Sequence, residues 1–143
     1  MLIRAAFRYG DRRPFSRAVT FLRGGDSAHC EVAWAWDGGL HRCVSASFVD
    51  GGVRAKDIAM PASKWRIYEL SAAIDPQLWH ERHAGAGYDT LGLLGILWPR
   101  LGHGRRRWFC SEVLADVLGL QQPQLYDLRT AESVCALLGE RVQ

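Results

Sequence analysis

The sequence predicts an α+β fold, an antiparallel sheet or partial barrel packed against helices, on three observations. Between His29 and Phe48 apolar and polar residues alternate in two runs split by Asp37-Gly38-Gly39, the period of strands with one buried face and a hairpin turn between them. Apolar stripes at helical spacing occupy the second half of the chain and end on glycines. At 143 residues and 48% hydrophobic, the chain has enough apolar surface for one compact domain over 1–143 without disulfide staples.

Taken in order, Leu2 to Phe7 reads as a short strand, and Asp11-Arg12-Arg13-Pro14 as a turn into a helix with Phe15, Val19 and Leu22 on one face, ended by Gly24-Gly25-Asp26-Ser27. In the strand from His29 to Trp36, His29, Glu31 and Ala33 share one face while Cys30, Val32 and Trp34 share the other. The returning strand, Leu40 to Phe48, carries His41, Cys43 and Ser45 on one side and Arg42, Val44 and Ala46 on the other. Asp50-Gly51-Gly52 turns into a strand over Val53 to Ile58, and Trp65 to Leu70 forms another. Asp75 caps a helix with Pro76 at its first position, its pattern running through Leu78, Trp79 and His83 to Gly85, with His80 and His83 on the surface. Asp89 caps a helix from Thr90 towards Trp98, stopped by Pro99. A helix from Cys110 runs through Val113, Leu114, Val117 and Leu118 to Gly119. Thr130 caps a last one with Val134, Leu137 and Leu138 inward and Gly139 as terminator.

Composition narrows the function classes. Net charge is +3, and the only concentrated basic run, Arg105-Arg106-Arg107, lacks interleaved stacking aromatics, so nucleic-acid binding is the weakest of the readings. Neither a secretory leader nor a membrane span is expected, because no apolar run approaches the length that either needs. Four cysteines without paired C-x-x-C spacing are expected as reduced thiols, three of them (Cys30, Cys43 and Cys135) in the core.

The fourth is different. Cys110 follows the aromatic strand end Trp108-Phe109 and opens an apolar helix, where unpaired N–H groups and the positive end of the helix dipole stabilise a thiolate. A thiol hydrolase also needs an imidazole to hold that sulfur and a polar group to orient the imidazole. His29 is the candidate base and Glu31, on the same strand face, the candidate orienting group, with His41 and Ser45 in the adjacent strand competing for that third role. The Cys110 amide is a natural oxyanion donor, Ser111 and Glu112 have helix-start roles, and Tyr88 is placed to line the substrate pocket. A zinc site from His29, His41, Cys43 and Cys110 ranks well below catalysis, since no compact ligand pair supports it. No cofactor is expected.

At Ser27-Ala28-His29-Cys30-Glu31 and Phe109-Cys110-Ser111-Glu112, in that order, the chain resembles the permuted NlpC/P60 papain-like superfamily, in the branch that includes relatives of lecithin:retinol acyltransferase. Tyr88-Asp89, Ser45-Ala46-Ser47 and Asp50-Gly51-Gly52-Val53-Arg54 are similar to the small phage and prophage members of that branch. The resemblance implies a circularly permuted papain-like fold with Cys110 on a helix facing His29 on a strand. It also implies a cysteine peptidase, amidase or acyl-ester hydrolase or acyltransferase working through a thioester on a peptide, cell-wall or lipid-linked acyl substrate. It further implies a cytoplasmic or phage-particle location. A non-catalytic structural or binding module, such as a phage particle component, is the alternative of another class.

Overall fold

The computed structural model describes residues 1–10, 14, 17, 26–88 and 107–143. The helices expected from Pro14 to Leu22 and from Thr90 to Trp98, with the Asp89 cap, fall mostly or wholly outside them, as do Arg105 and Arg106 of the basic run.

Strand β1 (Leu2–Tyr9) lies in the middle of the sheet, paired antiparallel with β2 (Ser27–Asp37) on one side and β5 (Trp65–Ser71) on the other. Strands β3 (Leu40–Ser47) and β4 (Gly52–Ala59) extend the β2 side as a meander. The two-residue strands β6 (Gly87–Tyr88), β7 (Arg107–Trp108) and β8 (Glu140–Arg141) complete the order β7-β6-β4-β3-β2-β1-β5-β8, antiparallel except between β6 and β7. The β2–β3 hairpin closes through Gly38 and Gly39, both at positive φ (55° and 85°), which is the requirement of a two-residue turn that matches strand twist.

Alternation along these strands sorts side chains onto two faces. Ile3, Ala5, Phe7, Cys30, Val32, Val44, Ala46, Val53, Tyr68 and Leu70 form one, and among the described residues three helices pack on it. These are α1 (Pro76–His83), α2 (Cys110–Val117) and α3 (Leu128–Leu138), which contribute Trp79, then Cys110, Val113, Leu114 and Val117, then Leu128, Ala131 and Cys135. The other face carries a smaller apolar patch of Ala6, Ala33, Cys43, Met60, Trp65 and Ile67 among charged neighbours. It curls enough that Arg54 and Ile58 of β4 line one cleft with Arg8 of β1 and Trp65 of β5, strands well separated in the sheet order.

Two helix expectations need correction. The cap of α3 is Asp127, whose Oδ1 accepts the Thr130 N–H at 2.7 Å, so the helix begins two residues before the expected cap. Its buried stripe is Leu128, Ala131 and Cys135; Leu137 and Leu138 are 85% and 64% exposed, because packing of that stripe against the sheet fixes the helix phase and leaves them outside the inward face. On α1, Asp75 does cap, accepting from the Gln77 and Leu78 N–H groups, and Trp79 is buried, but Leu78 is exposed. His83 is not a simple surface residue: its ring stacks on Trp79 at 4.1 Å and meets the edge of Trp108 at 5.1 Å.

Candidate active site

The site forms where β2 leaves β3. These strands pair from Val32↔Val44 onward, whereas residues 27–31 pair with β1 alone. The β1 register jumps from Arg8↔His29 to Tyr9↔Ser27, leaving Ala28 as an extra residue. Such a bulge re-aims the neighbouring side chains. Helix α2 packs against β2 and β3 on the apolar face, its first residue at this loosened end.

That first residue is Cys110, 6% exposed, following the extended Phe109. Phe109 has no side chain that accepts a hydrogen bond; instead the Glu112 carboxylate reaches back and takes the Phe109 N–H at 2.9 Å. One end-of-helix donor is thus satisfied, and the remaining first-turn N–H groups keep the positive end of α2 directed at the sulfur. His29, with 23% of its side chain exposed, interacts with the Cys110 sulfur as hydrogen-bond partner and as opposite charge. Its Nε2–H donates to Glu31 Oε1 at 2.7 Å, so Nδ1 is the ring nitrogen left to serve the sulfur. Glu31 is 1% exposed.

The electrostatics follow from these contacts. Cys110 is held well below the ordinary thiol range, first by a hydrogen bond from the Cys30 side chain and then, against the cost of burial, by the charge and hydrogen bond of His29. Burial by itself would push His29 down, but the charges of Cys110 and Glu31 outweigh it and raise the imidazole to about 10. Burial would likewise raise Glu31; the His29 charge and the Arg54 hydrogen bond bring it below the usual carboxylate range. Cys30 goes the other way, pushed well up by burial and by its contact with Cys110, and so remains a neutral thiol that donates to the charged sulfur.

The structure therefore brings together Cys110, His29 and Glu31, and engages His41 and Ser45 with other partners. His41 lies at the far end of the hairpin, opposite Trp36, accepting from Arg4 Nη1 at 3.3 Å and donating to the Gly39 carbonyl at 3.2 Å. Ser45 Oγ donates to the Cys30 carbonyl at 2.7 Å. His41 is thus not gathered with His29 and Cys110. Among the described residues no group of three or more His, Cys, Asp or Glu is placed to hold a metal ion.

A cleft of about 360 Å³ opens on the charged face, lined by His29, Glu31 and Arg54 together with Phe48, Val49 and Tyr88. Tyr88 is edge-on to both Phe48 (5.8 Å) and Phe109 (5.5 Å), an aromatic chain that leads from the cleft to the residue before Cys110. Cys110 itself is not among the lining residues.

Sequence reasoning missed two participants. Cys30, placed in the core because it points away from His29, is in the core yet touches Cys110, which sits on that same apolar face. Arg54, by sequence one residue of the Asp50-Gly51-Gly52-Val53-Arg54 motif, is the other; the signal that finds it is register, since Arg54 opposes Ser45, and continuing Val32↔Val44 by one residue puts Glu31 opposite Ser45 from the other side. Comparison with protein-family models, curated proteins and solved structures returns no match.

Proposed function

We propose that the protein is a cysteine hydrolase or acyltransferase of the permuted NlpC/P60 papain-like kind, acting on an amide or ester carbonyl. The observation that carries this reading is the Cys110–His29–Glu31 chain at the start of α2, buried at both ends and open to the cleft at His29, with a depressed thiol and a raised imidazole facing each other. In the first half-reaction the Cys110 sulfur attacks the carbonyl carbon, a C–S bond forms, and the carbonyl electron pair moves to oxygen. The Cys110 N–H and the positive end of α2 stabilise that oxyanion. His29 gives its proton to the leaving nitrogen or oxygen as the C–N or C–O bond breaks, leaving a thioester. Water, or another acceptor hydroxyl or amine, then attacks the thioester while His29 takes its proton, and the C–S bond breaks to restore the thiolate. Glu31, through Nε2–H, holds the imidazole in one tautomer throughout. Peptide, cell-wall and lipid-linked acyl groups are the substrate classes that suit this chemistry, and the aromatic lining suits an apolar group beside the carbonyl.

A second reading, a non-catalytic structural or binding module that keeps the fold, draws support from the near-complete burial of Cys110, which does not itself line the cleft. Mass spectrometry after incubation with an activated acyl ester separates the two. The enzyme reading expects a transient acyl adduct on Cys110 of the wild-type chain and none on folded Cys110→Ala. A wild-type chain that never carries the adduct favours the module.

A further inference from the structure

The motif Asp50-Gly51-Gly52-Val53-Arg54 takes no part in the reaction above, yet it sits directly behind it. Arg54 Nη1 donates to Glu31 Oε2 at 2.7 Å and Nη2 to Glu31 Oε1 at 2.5 Å, so the guanidinium grips both carboxylate oxygens. Its Nε donates to Asp50 Oδ2 at 2.8 Å, and Lys56 Nζ reaches both Asp50 oxygens at 2.9 and 2.8 Å. The structure assigns to Arg54 the role of positioning residue for Glu31, braced from behind by Asp50 and Lys56; its catalytic consequence rests on the cysteine-hydrolase reading above.

Three features argue for this role. A two-pronged guanidinium fixes both the place and the plane of a carboxylate, which a single donor leaves free to rotate. The oxygen that accepts the His29 Nε2–H is also the one held by Nη2, so the direction of the His29 bond is set by Arg54. Glu31 is buried, and a buried carboxylate with too little positive charge beside it takes up a proton and ceases to hold its partner as a cation. Charges then alternate outward from the sulfur: Cys110, His29, Glu31, Arg54, Asp50, Lys56.

The motif's other residues make this geometry possible. The turn brings Asp50 back to Arg54 four positions on. Gly52, at φ 150°, lies where an added Cβ would come within 2.1 Å of the Ala86 carbonyl oxygen, and Val53 N–H donates to that same oxygen at 2.8 Å. The small Ser45 between Glu31 and Arg54, its hydroxyl turned to the Cys30 carbonyl, leaves the guanidinium room to cross β3.

The experiment is the rate of Cys110 alkylation by iodoacetamide against pH in the full chain, with folding checked by circular dichroism. Arg54→Met raises the proton affinity of Glu31 and weakens its hold on the imidazolium, so the acid limb moves up by about one pH unit. Arg54→Lys, a one-point donor, falls between, and in a Glu31→Gln background Arg54→Met moves the limb no further. A folded Arg54→Met with the wild-type limb, or an equal shift in the Glu31→Gln background, overturns the role. If Arg54→Met does not fold, a wild-type limb in folded Arg54→Lys overturns it instead. Failure of the hydrolase reading looks different: wild-type Cys110 itself then labels no faster than Cys43 at neutral pH, and the role falls with that reading.

Discussion

His29 and His41 project from adjacent strands of one sheet, each beside an arginine-carboxylate pair and each with a cysteine nearby, and they end in opposite charge states. His29 meets the anions first: its ring lies between the Cys110 sulfur and Glu31, while Arg54 touches only the far side of that carboxylate. His41 meets the cation first, because Arg4 donates directly to its Nε2, while Glu69 bonds the Arg4 Nε instead. Burial and the Arg4 charge push His41 down, with only the Gly39 carbonyl opposing. The thiols follow the same rule. Cys43 is raised by burial and by the Glu31 charge, whereas Cys110 is lowered by hydrogen bonds and by the cationic His29. Residue type is shared between the two ends; the order in which charges are strung decides which end holds a raised imidazole beside a depressed thiol.

The largest expected effect sharpens this contrast through stability. Glu31→Ala leaves Arg54 and His29 without their buried anion and costs about 3–5 kcal/mol, while Glu69→Ala, removing a partly exposed partner of Arg4, costs about 1 kcal/mol or less. Urea unfolding of both variants checks the difference; equal losses would mean that the two ends are electrostatically alike. Next in size is reactivity. A free thiol near its ordinary pKa is only about 3% ionised at pH 7, so His29→Ala, which keeps the Cys30 hydrogen bond, is expected to slow Cys110 alkylation by up to about 30-fold, with His41→Ala leaving it unchanged. Labelling followed by peptide mass mapping reads both, and a comparable slowing in each would break the comparison.

The smallest effect is in pH dependence, and its sign differs between the two ends. His29, raised to about 10, contributes stability that is fully present below its unfolded value near 6.5 and is lost as pH rises towards 10. His41 is lowered, so its folded environment favours the neutral ring, and its contribution is present above pH 6.5 and lost as pH falls. The thermal midpoint of the wild type relative to His29→Gln should therefore shrink from pH 7 to 10, and that relative to His41→Gln from pH 7 to 5. Parallel trends in the two variants would contradict the opposed charge states.

Much of the scaffold was readable because its signals are local. Alternation and turn glycines located β2, β3, β4 and β5 to within two residues, and Asp75-Pro76 located the start of α1. The phase of α3 was not readable: Thr130 and Asp127 are both acceptable caps by type, and only packing of Ala131 and Cys135 against the sheet selects the earlier one. At the site, parity along one strand was enough to place Glu31 beside His29. The choice among Glu31, His41 and Ser45 was beyond reach, since it depends on Ser45 being taken by the Cys30 carbonyl and His41 by Arg4.

The order of residues along the chain by itself determined the strand periods, the glycine turns and a cysteine at the head of an apolar helix, because each arises from neighbours within one element. Tertiary structure alone decided that this helix head meets the loosened end of β2, that Cys30 turns its thiol to Cys110, and that Arg54 reaches over Ser45 to Glu31. Proton affinities at the site are sums over charges brought from β2, β4 and α2, and Coulomb energy depends on their separation in space, which no local pattern encodes.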